Sequence, residues 1–150
     1  MKIFVDADAC PVKDEIVKCA QDFQLKVTFV ASYNHKTSRD QAEHWVYVDA
    51  GKEAADLYIV NHVSSGDFVI SQDIGLAGLL LQKQVNVITP RGKVYNEENI
   101  DTALQFRYLS AQERRSGNYL KGPKPYTKED RLHFLSAFKK ILSKNAGDKR

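Results

Sequence analysis

Residues 2–11, Lys2-Ile3-Phe4-Val5-Asp6-Ala7-Asp8-Ala9-Cys10-Pro11, decide how the rest of the chain is read. Ile3-Phe4-Val5 is a short apolar run that ends directly on a carboxylate, the way a buried strand delivers an acid to the edge of a sheet. Pro11 stands where a first helical turn favours proline, and Val12, Ile16, Val17, Ala20 and Phe23 follow at helical spacing. Strand, carboxylate, helix is the opening of an α/β unit.

The alternation continues outward from this start. Leu25 to Ala31 is β-branched and predicts a second strand, Ser32 to His44 a polar exposed loop, and Trp45 to Val48 a third strand ending at Asp49. A helix from about Lys52 to His62 carries Ala55, Leu57, Tyr58, Ile59 and Val63 toward the core. Asp67 to Ser71 is a fourth strand that stops near Asp73. Gly75 to Leu81 reads as a short helix, Val85 to Thr89 as a fifth strand, and Pro90-Arg91-Gly92 as a turn. Two helices are expected beyond it, about Glu97 to Arg115 and Lys128 to Leu142, joined by the Gly/Pro-rich Ser116–Thr127 and followed by a frayed tail.

Strands alternating with helices imply a mostly parallel sheet with helices on both faces. Right-handed crossovers then place the strand C-termini on one edge, where α/β proteins build their sites. The last fifty residues are expected to pack on the sheet and extend that edge. At 150 residues the chain fits one domain, and no repeat, low-complexity tract or domain boundary interrupts it.

Composition narrows the function classes. Hydrophobic residues at 43% and charged residues at 27% are globular values, and no apolar run approaches the roughly 20 residues of a membrane helix. Aspartates this close to the N-terminus exclude a secretory h-region. Cys10 and Cys19 form no CxxC pair or disulfide framework, so a reduced cytoplasm is the expected address. The net charge of +3 names no partner, but its distribution does. From Arg107 to Lys128 the bases Arg107, Arg114, Arg115, Lys121, Lys124 and Lys128 meet one acid, Glu113. A basic segment beside an acidic centre suits a polyanionic substrate. A plain solvated surface would use the same residues.

The acids are Asp6, Asp8, Asp49 and Asp73, at or just past strand ends, and Asp56 early in the helix after the third strand. Carboxylates about 4 Å apart repel by roughly 4 kcal/mol at an effective dielectric of about 20. A bound cation offsets that repulsion, and hard oxygen donors suit Mg²⁺ or Mn²⁺, which also bridge to phosphate oxygens and water. Hydrolysis by a metal-activated water then needs no side-chain nucleophile. Against this, a single Asp after a strand is more often a turn or a helix cap. Asp8 could cap the helix entered through Pro11, Asp49 before Ala50-Gly51 suits a turn, and Asp67 suits the start of a strand. Asp6 and Asp73 follow apolar runs most directly.

Other constellations are thinner. Cys10 near a helix N-terminus is either a lowered-pKa thiol or a small packing residue. His35, His44, His62 and His133 lack metal-binding spacing. Ser71 at a strand end could bond a phosphate, a carboxylate or local backbone. Thr89-Pro90-Arg91-Gly92 offers a guanidinium as a phosphate clamp. Tyr108, Tyr119 and Tyr126, interleaved with the bases, could stack on unpaired bases or border the core.

The segments IFVDADACPVKDE, DAGKEAADLYIV, GDFVISQDIGLAGLLL and TPRGKVYNEENI, with the later Arg/Gly/Pro-rich stretch, resemble the bacterial YaiI/YqxD family over nearly the whole chain. That family is grouped with PIN-like domains, and the wider similarity covers roughly the first ninety residues. The resemblance implies a three-layer α/β PIN-like domain over residues 1–150, with its core at about 1–92 and a C-terminal helical extension at about 97–145. It implies a Mg²⁺ or Mn²⁺ site with Asp6, Asp56 and Asp73 as catalytic acids and ligands; Asp8 is a further candidate ligand by its place after the first strand, not by the resemblance. The DADACP turn departs from the usual PIN opening, which leaves the role of Asp8 open. A further late acid has no clear counterpart; Asp67 and Asp49 are the nearby substitutes. The implied activity is a metal-dependent nuclease, on RNA ahead of DNA; the charge distribution puts Arg91, Arg114, Arg115, Lys121 and Lys124 on the nucleic acid. Two other readings stand beside it. One is a nucleic-acid-binding protein with a degenerate site. The other is a DxD phosphohydrolase with Asp6 as nucleophile and Asp8 as general acid, which also needs a later lysine and a paired acidic motif that Lys83 and the lone Asp73 match poorly.

Overall fold

The computed structural model describes residues 1–33, 44–49, 52–117 and 124–146. The apolar runs form five parallel strands: β1 (Lys2–Asp6), β2 (Lys26–Ser32), β3 (His44–Val48), β4 (Phe68–Ile70) and β5 (Asn86–Ile88). A sixth, β6 (Val94–Tyr95), returns antiparallel to β5 around the Pro90–Gly92 turn. The sheet order is β3-β2-β1-β4-β5-β6. Five helices accompany it: α1 (Lys13–Asp22), α2 (Lys52–His62), α3 (Ile74–Gln82), α4 (Ile100–Arg115) and α5 (Lys128–Ala146).

The fold is the expected mixed α/β architecture of three layers, and alternation along the strands builds it. Ile3 and Val5, Phe29 and Ala31, Phe68 and Ile70, and Ile88 all point into one core, shared with Ile16, Cys19 and Ala20 of α1. The intervening Phe4, Val30, Val69 and Val87 point the other way, into a core shared with α2, α3 and Ile100 of α4. A parallel sheet covered on both faces needs apolar residues at both parities, which is why its strands read as continuous hydrophobic runs. α5 closes the first core: Phe134, Phe138 and Leu142 are fully buried there, and the two phenylalanine rings stack 5.2 Å apart.

From β1 the chain moves outward through β2 to β3, then α2 returns it to β4 on the opposite side of β1. Strand order therefore reverses between β1 and β4. Open α/β sheets form a crevice at the carboxyl ends of such a pair.

Several expectations are corrected locally. β6 is too short to show alternation and was not expected from the pattern. α1 begins at Lys13 with Val12 at its cap and no side-chain cap bond, so Asp8 does not cap it. α4 begins at Ile100, because Asn96 folds the preceding residues into a turn by accepting from the Glu98 and Asn99 N–H groups at 2.9 Å each. α5 runs on to Ala146. Most of the expected loop (34–43), Tyr119, Lys121, His35 and the end of the tail lie outside the described residues. Among the described residues no helix is long and apolar enough to cross a membrane.

Candidate active site at the carboxyl edge of the sheet

The last aligned pair of the central strands is Val5 with Ile70, and one residue further on stand Asp6 and Ser71. Both share the strand parity of Phe4 and Val69, so they belong to the layer holding α2, α3 and α4. The Ser71 hydroxyl donates to Asp6 Oδ2 at 3.1 Å and accepts the Asp73 N–H at 3.0 Å. One buried serine thus links the strand-end carboxylate of β1 to the loop that carries Asp73. Its position at a strand end made this one of the roles open to Ser71.

Asp73 caps α3. Its Oδ1 accepts the Leu76 N–H at 3.0 Å, and its backbone is extended as a capping residue requires. The carboxylate is nearly enclosed and sits 3.7 Å from Nη1 of Arg107, an α4 residue whose side chain is 53% exposed. Exposure on the arginine side limits this ion pair to at most about 1 kcal/mol. Capping and site chemistry therefore coincide at one residue, since the N-terminus of α3 adds its partial positive charge to the same crevice.

Arg107 reaches Asp73 because α4 packs along the glycine-bearing face of α3. Gly78 of α3 faces Leu104 and Ile100, where a Cβ would make ordinary contacts at 3.6 and 3.9 Å. One turn earlier, Gly75 faces Arg107, and a Cβ there would lie 2.8 Å from Nη1. The pairing shows that the helices run antiparallel along this ridge. α4 therefore advances toward the carboxyl edge. Arg114 follows Arg107 on the same helix face, about 10 Å further along. The arginine's place on the apolar Ile100-Leu104 stripe was the sequence signal for it; the count of basic residues included it without setting it apart.

The remaining acids separate by role. Asp56 lies in the second turn of α2, on the same layer as Asp6 and Asp73, with its Oδ1 buried. Asp8 follows β1 in a 3-10 turn (Ala7–Ala9), and its Oδ1 accepts the Ser32 N–H at 3.0 Å where β2 ends. Asp49 is exposed just past β3. Asp67 is buried at the other edge of the sheet, where its carboxylate accepts the Lys2 N–H at 3.0 Å and the Ser64 N–H at 2.8 Å. It fastens the start of β1 and does not serve as a late acid. Among the described residues no three His, Cys, Asp or Glu side chains are arranged to hold a metal ion. The donors the crevice does offer, two carboxylates and a hydroxyl, are hard oxygens. That set fits an ion such as Mg²⁺, which commonly takes one or two carboxylates and fills its other positions with water and phosphate.

The expected nucleic-acid residues divide too. Arg91 is engaged in structure: Nη1 meets Asp130 Oδ2 at 2.8 Å, Nη2 donates to the Lys124 carbonyl, and the guanidinium lies 5.6 Å from the Tyr126 ring. Arg131 covers the same ring at 5.6 Å and pairs with Glu15 at 2.7 Å. The Tyr126 hydroxyl donates to the Pro90 carbonyl at 2.6 Å, so this ring is packed between arginines. Arg114, Arg115, Lys124 and Tyr108 are exposed. Lys83, at the far end of α3, donates to the Val60 carbonyl at 2.9 Å, away from Asp6. Cys10 is buried, and burial pushes its thiol up to about 11, so it stays protonated and is no nucleophile at neutral pH.

The family model described as "Uncharacterized BCR, YaiI/YqxD family" matches residues 4–144. The chain belongs to the YaiI/YqxD family. A UPF0178 protein of Bacillus velezensis is 56% identical over 146 residues, covering 97% of this chain and 87% of its own length. A second, from Bacillus cytotoxicus, is 53% identical over 97% of this chain and 95% of its own. A third, from Listeria innocua, is 50% identical over 89% and 91%. No solved structure gives a significant match.

Proposed function

We propose that this YaiI/YqxD member hydrolyses phosphodiester bonds in nucleic acid with the help of a divalent cation, Mg²⁺ or Mn²⁺, held at Asp6 and Asp73. The observation that carries this reading is the Asp6–Ser71–Asp73 chain of hydrogen bonds at the switch point, facing an arginine-bearing helix. When bound, the cation would polarise the scissile phosphate and lower the pKa of a water. The chain's own residues do the positioning. Ser71 fixes the orientation of the Asp6 carboxylate, and the Leu76 N–H of α3 fixes that of Asp73. Asp56 supplies a third acid on the same layer. Arg114 and Arg115 hold the polyanion beyond the sheet edge, where their exposure leaves them open to phosphates. RNA stands ahead of DNA through the resemblance to PIN-like domains.

The test is cleavage of defined single-stranded RNA and DNA in Mn²⁺. Asp6→Asn keeps the shape of the side chain and the Ser71 bond but removes the charge, so we expect at least a 100-fold loss of rate with the melting temperature little changed. Cleavage that survives both this substitution and chelator would remove Asp6 and the cation from the mechanism.

One observation favours a second reading, binding without cutting: no third acid joins the pair in metal-holding geometry among the described residues. In that case the chain binds oligonucleotide with a steep salt dependence that chelator leaves unchanged.

A further inference from the structure

We infer that Arg107 is the phosphate-binding residue of the crevice, resting on Asp73 in the ligand-free molecule and exchanging that carboxylate for a phosphate when a divalent cation arrives. The inference rests on the reading of Asp6 and Asp73 as a cation site. Three features of the molecule support it.

The first is access. The Asp73 side chain is 7% exposed and Arg107 is 53% exposed, so an incoming anion meets the guanidinium before it meets the acid. The second is the looseness of the pair. At 3.7 Å the contact exceeds the roughly 2.8 Å of a charge-assisted hydrogen bond, so the arginine neutralises Asp73 without being locked to it. A cation placed between the carboxylates does the same electrostatic work at closer range, and the two positive charges compete for one acid. The third is Gly75. The guanidinium occupies the space that any side chain at position 75 would fill, with a Cβ falling 2.8 Å from Nη1 and 3.2 Å from Asp73 Oδ1. A released Arg107 remains at the crevice mouth, in line with Arg114 on the same face of α4, so consecutive phosphates of a strand can engage both.

The experiment uses the full chain and a phosphorothioate single-stranded oligonucleotide that resists cleavage. Mn²⁺ binding without oligonucleotide is read by electron paramagnetic resonance, and oligonucleotide binding is read in Mn²⁺ and in chelator. Arg107→Ala should tighten Mn²⁺ several-fold and weaken the oligonucleotide in Mn²⁺ about tenfold, the effect of losing one charge-assisted contact. Gly75→Ala displaces the guanidinium tip while keeping the arginine, and should shift both measurements the same way. Arg114→Ala should weaken the oligonucleotide and leave Mn²⁺ unmoved. Oligonucleotide affinity unaffected by Arg107→Ala, with Mn²⁺ still bound, overturns the role of Arg107 alone. Weaker Mn²⁺ binding in that variant overturns the exchange. No saturable Mn²⁺ binding by the unmodified chain overturns the cation reading itself.

Discussion

Arg91 with Asp130 and Arg107 with Asp73 are chemically the same pair: an arginine from elsewhere in the chain meets an aspartate at the start of a helix. Their surroundings differ. Asp130 sits in a capping box, accepting the Thr127 N–H at 3.0 Å while the Thr127 hydroxyl accepts its own N–H at 3.1 Å. That backbone bond, with the threonine hydroxyl and Arg91, holds its carboxyl below the usual range. Arg91 is in contact at 2.8 Å and also grips a carbonyl and a ring. Arg107 stands off at 3.7 Å over a glycine, half in solvent. The same two residue types make a clamp whose two terminal nitrogens both donate and a site where the arginine stands off its acid.

The clamp has a purpose that predicts the largest effect. It pins the turn before β6 to α5, and Gly92 there has φ of +92° with His133 where a Cβ would go. If α5 is integral to the core, Phe138→Ala should cost about 3–5 kcal/mol in urea unfolding, since the ring is fully buried. A loss under about 1 kcal/mol would make α5 an appendage and the clamp idle.

The next effect tests how dry that side is. The unfolded Cys10 thiol ionises near its ordinary 9.0, whereas burial keeps the folded one protonated to about 11. Its contribution is therefore complete below pH 9, falls as pH rises toward 11, and then levels. Over that window the unmodified chain should lose about 2 kcal/mol relative to Cys10→Ala, an order-of-magnitude figure. Buried Tyr95, whose hydroxyl is also raised, cancels because both proteins carry it, and half-buried Tyr126, raised first by desolvation and only in lesser part by Cys10, cancels in the main. Urea midpoints at pH 8 and 10.5 that keep the same gap would show a wetter pocket than the fold implies.

How much of this was legible in the sequence depends on what each residue answers to. Strand ends at Asp6 and near Asp73 could be read because a parallel sheet needs apolar runs and the runs stop there. Strand parity also carried Asp6 and Ser71 to the α3 layer. Asp67 was readable as the start of a strand, but not its task there: the Lys2 N–H, 65 residues away, and the Ser64 N–H use its carboxylate, which rules it out as a late acid. Arg91 read as a phosphate clamp and Arg107 as one of a basic segment, the reverse of their roles here. Their difference is set by partners 33 to 39 residues away in one case and 34 in the other, Lys124 and Asp130 against Asp73. Gly75 and Gly78 were the local hint, since paired small residues on one helix face mark a close neighbour.

The smallest effect contrasts the two arginines directly. Arg91→Ala removes an ion pair, a carbonyl bond and a ring contact together, and should lower the melting temperature by roughly 3–6 °C at neutral pH. Arg107→Ala should move it by no more than about 1 °C, because a half-exposed arginine gives up little when truncated. The Arg91 penalty should also shrink in acid. Asp130 has a depressed folded pKa, so its contribution is present above the unfolded value and disappears as pH falls through the folded one. Equal losses from the two substitutions would mean that both arginines are structural. A stable Arg107→Ala with Arg91→Ala converging on the unmodified chain in acid would leave Arg107 as the one whose charge is kept for something outside the fold.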